Sequence, residues 1–206
     1  MRGYYFITDA GLSRAGNEGD VAQAVAAGVW VVQYRRKEGR TTDLVAEARQ
    51  LGALCRSIRF VVNDRVEVAL EVGADGVHLG QEDLSCRKAR RLLGPDKIIG
   101  ITVCDVAQAL TATAAGADYL GVSPIFATGT KADAGAPRGV QLLGAIRRRV
   151  RLPLVAIGGI TLDNAPAVIA AGADAICAIS AVVTQADVRG EIAKFQRLFR
   201  PGSPDL

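Results

Sequence analysis

The chain has 206 residues, half of them hydrophobic, which is enough to bury one core without disulfide staples, and no apolar run reaches membrane-spanning length. A formal charge of +4 with only 5% aromatic residues argues against a base-stacking nucleic-acid surface and suits small anionic substrates. Four cysteines with no C-x-x-C pair, beside a single histidine, exclude a zinc set and read as reduced thiols packed as small hydrophobes.

The N-terminus runs from Met1-Arg2-Gly3 straight into a strand-like segment with no signal-peptide pattern, so a cytoplasmic soluble protein is expected. Strands are predicted at 4–8, 29–35, 58–63, 76–79, 97–101, 119–123, 154–157 and 175–179. Most are continuous apolar runs, as strands buried on both faces are. Helical patterns fill the intervals, which makes βαβ units with right-handed crossovers. The cationic stretch Arg147-Arg148-Arg149 falls at a helix end, where it reads as a solvated face. Residues 127–139 lack periodicity and are expected to form a loop or lid. Residues 1–200 read as one domain and 201–206 as a frayed tail.

A repeat runs through this alternation. Four helices end in the same spacing: Val21, Ala24, Val25, Gly28; Val66, Ala69, Leu70, Gly73; Ala109, Ala112, Thr113, Gly116; and Ala165, Val168, Ile169, Gly172. The spacing predicts one buried stripe closed by a left-handed glycine cap. Three of these glycines open a Gly-Ala-Asp triplet, at 73–75, 116–118 and 172–174, and Asp-Val-Ala-Gln-Ala occurs at both 20–24 and 105–109. The marked glycines precede strands two, four, six and eight, which fits equivalent units closing into a single (β/α)8 TIM barrel of the α/β class.

In such a barrel the chemistry sits where strands end. Strand two exits through Gln33-Tyr34-Arg35-Arg36-Lys37, placing Gln33, Arg35 and Lys37 on one side of an extended chain, a grip for a diphosphate. Strand three ends in Asn63-Asp64, and strand four leads to Asp83; two carboxylates on neighbouring strand tips suit one Mg²⁺, unless each merely caps the next helix. His78 reads as a hydrogen-bonded positioning residue rather than a general base. Thr102 leaves strand five with a hydroxyl, and strand six leads to Thr128, Thr130 and Lys131. Only five of the 25 basic residues are lysines, yet Lys37 and Lys131 both fall at strand exits, where a compact ammonium is wanted. Gly158-Gly159 after strand seven and Ile179-Ser180 at strand eight sit where this barrel usually binds phosphate.

In order, Tyr5-Phe6-Ile7-Thr8-Asp9, the Gln33/Arg35/Lys37 triplet, Val62-Asn63-Asp64-Arg65, Gly76-Val77-His78-Leu79-Gly80-Gln81 with Asp83, Thr128-x-Thr130-Lys131 and Ala156-Ile157-Gly158-Gly159-Ile160 resemble the thiamine phosphate synthase family over nearly the whole chain. The resemblance implies a Mg²⁺-dependent transferase joining a pyrimidine methyl diphosphate to a thiazole phosphate, with pyrophosphate released. It implies that Asp64 and Asp83 bind Mg²⁺. It further implies that Gln33, Arg35, Lys37, Asn63, Thr102 and Lys131 hold the pyrimidine diphosphate, and that Thr128, Thr130, Gly159, Ile179 and Ser180 hold the thiazole phosphate; Arg35, Lys37 and Lys131 would act in catalysis. The chain departs from the family at Thr102 (usually serine), Val103-Cys104 (usually a polar residue such as histidine), Ser123 (usually glycine) and Ala127 (usually proline). The paralogous thiazole tautomerases share the fold and the phosphate cup, but typically alter the triplet and the second metal carboxylate, both intact here. A phosphosugar isomerase and a non-catalytic thiamine-precursor binding protein are the remaining alternatives. Two small-molecule substrates are the expected partners, with no nucleic acid or membrane and with a homo-oligomer left open.

Overall fold

A computed structural model describes residues 2–130 and 135–200. Within them, eight parallel strands close on one another in chain order: β1 (Gly3–Ile7), β2 (Val31–Tyr34), β3 (Arg59–Asn63), β4 (Gly76–Leu79), β5 (Ile98–Val103), β6 (Tyr119–Val122), β7 (Leu154–Ile157) and β8 (Ala175–Cys177). The crossovers carry α1 (Gly16–Ala26), α2 (Thr41–Leu54), α3 (Val66–Glu71), α4 (Cys86–Leu93), α5 (Val106–Ala114), α6 (Gly139–Arg147) and α7 (Ala165–Ala170). After β8 come a short extra helix, α8 (Ile179–Val183), and the closing helix α9 (Val188–Arg197). The barrel is sealed where Gly3 and Tyr4 pair with Ala175 and Ile176. This is the single (β/α)8 barrel that the sequence predicts.

The strands are apolar on both faces because both faces are covered. Along β1, Tyr4 and Phe6 point to the helices, while Tyr5 and Ile7 fill the barrel beside Val31, Val61, Tyr119, Val155, Ala175 and Cys177. Several expected strand limits shift by one or two residues, and three of these shifts bear on the site. The second strand stops at Tyr34, because the Arg35 N–H donates to Thr8 Oγ1 (2.9 Å) instead of to a strand. The fifth runs on to Val103. The eighth stops at Cys177, and Ile179 opens α8; a continuous apolar run does not reveal where strand gives way to helix.

The glycine repeat holds: Gly28, Gly73, Gly116 and Gly172 all take left-handed φ, between 66° and 107°. Its buried stripe is narrower than the spacing predicts. The first two positions of each set are buried, but Leu70 is 47% exposed and Thr113 is exposed, because a helix lying flat on two strands turns its i+4 residue onto the flank. Each Gly-Ala-Asp triplet ends in a clasp. Asp75, Asp118 and Asp174 accept hydrogen bonds from amides in the first two residues of the preceding strands, Phe60 (2.8 Å), Ile99 (2.7 Å) and Leu154 (2.9 Å), and each pairs with an arginine: Arg59, Arg90 and Arg147. Arg147 is thereby spent on structure, while Arg148 and Arg149 stay exposed at the helix end.

The Asp-Val-Ala-Gln-Ala repeat diverges at its acid. Asp105 caps α5 by accepting from the Gln108 N–H (2.7 Å), whereas α1 begins four residues before Asp20 and buries it completely. Both Asp20 carboxylate oxygens, Ser13 Oγ and Asn17 Oδ1 are buried without a hydrogen-bond partner among the described residues. Burial raises the Asp20 carboxyl above its ordinary range, and the Ser13 hydroxyl, close by but outside hydrogen-bonding geometry, offsets only part of this. A raised folded-state value means that ionisation costs stability, with the cost absent at low pH and complete once pH exceeds that value. Asp20→Asn should therefore stabilise the fold by about 1 kcal/mol at neutral pH. Urea midpoints measured at neutral and acid pH check this, and the gap between the two proteins should shrink in acid.

Among the described residues no helix is long and apolar enough to cross a membrane. The four cysteines are free thiols. Burial pushes the Cys55 thiol up to about 12, the state of an inert packing residue.

Candidate active site

At the C-terminal ends of the strands a cavity of about 400 Å³ opens. It is lined by Gln33, Arg35 and Lys37 from the β2 exit, Asn63 and Asp64 from β3, Asp83 from the loop after β4, and Thr102 from β5. The opposite wall carries Thr128 and Thr130 after β6, Gly159 after β7, and Ile179 and Ser180 after β8. Every expected site residue but one thus faces the same space; Lys131 lies outside the described residues, as do 201–206.

The β2 exit is held by contacts within the protein. Arg35 Nη1 meets Asp9 Oδ2 at 3.3 Å, while Asp9 Oδ1 accepts the amides of Gly11 and Leu12, so the loop after β1 aims the guanidinium. Arg36 also borders the cavity but turns to Glu47 (2.9 Å), which accepts from Tyr34 OH (2.8 Å) and Asn17 Nδ2 (2.7 Å) as well. Burial alone would raise the Glu47 carboxyl, but these three donors outweigh it and hold the group below its usual range. The extended-chain alternation is therefore kept: Gln33, Arg35 and Lys37 serve the cavity, and Tyr34 and Arg36 serve the scaffold. Asp9 and Glu47 belong to this apparatus. Tyr5-Phe6-Ile7-Thr8-Asp9 contained the signal for Asp9, whereas nothing in the spacing ties Glu47 to strand two.

The two carboxylates are not helix caps. Asp64 takes a left-handed φ of 61°, and α3 starts after Arg65, with no side-chain cap. The cap position of α4 is Ser85, and Asp83 folds back instead, its Oδ2 accepting the Gly80 N–H at 2.7 Å. A left-handed φ is uncommon outside glycine, and aspartate is among the residues that enter it most readily. Among the described residues no cluster of three or more His, Cys, Asp or Glu side chains could hold a metal by itself. Asp64 and Asp83 line one cavity from neighbouring strand exits and could supply two oxygen ligands to an ion that takes the rest from water and substrate phosphate, as Mg²⁺ does.

The β7 exit is close-packed. Gly158 and Gly159 have φ of 102° and 61°, and a Cβ on Gly159 would lie 2.8 Å from Phe126 Cβ. Asn164 braces the turn, donating to the Gly159 carbonyl (2.9 Å) and accepting from the Thr161 amide (2.9 Å). These glycines serve turn and packing alike, and they leave bare backbone facing the cavity. The expected lid falls partly on residues 131–134, outside the described residues. Its described ends are pinned: Phe126 N–H donates to the Gly158 carbonyl (3.0 Å), and Gly139 N–H to that of Ile125 (2.9 Å).

Residues 4–182 match the family model described as "Thiamine monophosphate synthase". The thiamine-phosphate synthase of Methanosarcina barkeri is 48% identical over 199 residues, covering 96% of this chain and 90% of the relative. That of Chloroflexus aurantiacus is 49% identical over 197 residues, covering 94% and 91%. A solved thiamine phosphate pyrophosphorylase from Pyrococcus furiosus superposes with a TM-score of 0.88 at 38% identity, covering 96% of this chain and 95% of that one. Matched along nearly its full length in sequence and in fold, the chain belongs to the thiamine monophosphate synthase family.

Proposed function

We propose that this chain is a thiamine phosphate synthase, joining a pyrimidine methyl diphosphate to a thiazole phosphate and releasing pyrophosphate, with Mg²⁺ as cofactor. The observation that carries the reading is the shared cavity: the cationic exit of β2, the paired carboxylates and the glycine-backed wall all border one space. Asp64 and Asp83 would hold Mg²⁺ against the diphosphate, where the ion supplies charge neutralisation for the leaving group.

Arg35, Lys37 and Lys131 bind the diphosphate and favour its departure, since negative charge grows there as the C–O bond breaks. Gln33, Asn63 and Thr102 orient the pyrimidine. Its ring amino group spreads the positive charge left on the methylene, and the thiazole nitrogen then attacks that carbon. Thr128, Thr130, Gly159, Ile179 and Ser180 hold the thiazole phosphate, in the place where this barrel type binds phosphate beside a short extra helix. No protein base is needed for this substitution; His78, the histidine at the cavity, has Nδ1 on Tyr119 OH and Nε2 on Thr102 Oγ1.

The test is pyrophosphate release from both substrates together, with and without Mg²⁺. Release that needs all three supports the reading. Proton transfer on the thiazole alone, with no pyrophosphate, would turn the assignment to a tautomerase.

A further inference from the structure

The barrel interior contains a line of polar groups whose middle members, Tyr5, Tyr119 and His78, have no part in the proposed reaction. Gln33 Nε2 donates to Tyr5 OH (2.9 Å), the hydroxyls of Tyr5 and Tyr119 are 2.6 Å apart, Tyr119 OH meets His78 Nδ1 (2.8 Å), and His78 Nε2 meets Thr102 Oγ1 (2.8 Å). Five strands contribute to it. Its two ends, Gln33 and Thr102, line the cavity, while Tyr5 and Tyr119 are each 1% exposed. The room for it is built in. A Cβ on Gly100 would overlap the Tyr119 ring, and one on Gly121 would lie 2.9 Å from His78 Cε1.

Counting protons along the line gives it a direction. Burial pushes both phenols well up, so each keeps its proton. The Gln33 amide proton occupies the Tyr5 oxygen, so the Tyr5 proton goes to Tyr119. The Tyr119 proton then goes to His78 Nδ1, which accepts. The imidazole N–H is left on Nε2 and points to Thr102 Oγ1, and the Thr102 proton remains for the cavity. Reversing the Tyr5–Tyr119 or the Tyr119–His78 bond alone would strand a buried hydroxyl proton, and reversing the His78–Thr102 bond alone would leave the imidazole without an N–H, so the line runs one way throughout.

We infer that Tyr5, Tyr119 and His78 are positioning residues: a one-way hydrogen-bond line that fixes the imidazole proton on Nε2 and presents Thr102 to the bound substrate as a donor and the Gln33 carbonyl as an acceptor. The nature of that substrate, a heteroaromatic amine carrying a diphosphate, rests on the function proposed above; the direction of the line does not. The threonine is thereby tuned to an anionic or lone-pair oxygen or nitrogen, and the glutamine to an N–H.

His78 is the only histidine of the chain, so long-range ¹H–¹⁵N spectra of histidine-labelled protein report this ring alone. Without substrate, the wild type should show a protonated Nε2 and an unprotonated Nδ1. Gln33→Glu puts an acceptor where the donor stood, so the line should turn round and the proton move to Nδ1. Tyr119→Phe should leave a mixture of the two tautomers and lower kcat about 10-fold, the value of one neutral hydrogen bond; Tyr5→Phe gives the same reading at the next link should that variant fold poorly. A wild-type ring protonated on Nδ1 or on both nitrogens, a spectrum indifferent to Gln33→Glu, or unchanged kcat in both phenylalanine variants would overturn the inference. The spectra are recorded in the absence of substrate, so they stand or fall separately from the pyrophosphate assay.

Discussion

Asp83→Ala is expected to lower turnover at ordinary Mg²⁺ concentrations by about 100-fold or more, and to raise the Mg²⁺ concentration needed for half-maximal rate. The carboxylate stands at the β4 exit and has one oxygen committed to the Gly80 amide. In the proposed function its other oxygen, with Asp64 after the adjacent strand, would be the protein's share of the ion site, since among the described residues no group of three or more His, Cys, Asp or Glu could hold a metal. On that reading, removing half of the negative charge would leave Mg²⁺ held chiefly by the diphosphate it neutralises. Asp83→Asn separates charge from shape, because an amide oxygen can still accept from Gly80 and keep the loop folded. Both variants should fail alike in pyrophosphate release titrated with Mg²⁺. If asparagine retains near-normal rates, Asp83 matters for the loop and not for the ion; if alanine does, it leaves the metal site altogether.

The second large effect is on stability. Gly100→Ala should cost about 3 kcal/mol or more, read from denaturation midpoints. Gly100 lies directly opposite Tyr119 in the β5–β6 register, and the added methyl would occupy the space of the phenol ring. The ring cannot retreat: it is fully buried, and its hydroxyl is held between Tyr5 and His78. A cost below 1 kcal/mol would mean that the barrel centre is far softer than its packing implies. Gly116→Ala is the control, since nothing lies within 4 Å of the added carbon there and only the left-handed backbone resists it.

Much of this molecule is legible in its residues because barrel architecture repeats. Glycine caps, apolar runs and charged exits recur with the units, and the exits alone nominate the cavity wall. What the sequence hides depends on closure. Tyr5, Tyr119 and His78 meet only because strands far apart in sequence share a layer inside the barrel, and no spacing rule links residue 5 to residue 119. The fate of Asp20 was equally hidden: it shares five residues with a helix-capping acid, yet a longer helix swallows it. Leu70 looks like core by type and is flank by geometry.

The Asp75, Asp118 and Asp174 clasps carry a consequence for how the chain assembles. Each bridges only 15 to 20 residues of sequence, whereas the contact from Tyr4 to Ala178 that helps seal the ring spans 174. Loops that short close at small entropic cost. Strand pairs β3–β4, β5–β6 and β7–β8 therefore each carry a latch of their own, while β1–β2, with Trp30 where the others have aspartate, has none of this kind among the described residues. That favours an order of events in which three prefastened quarters form early during synthesis, and the N-terminal quarter settles only when the last strand reaches it.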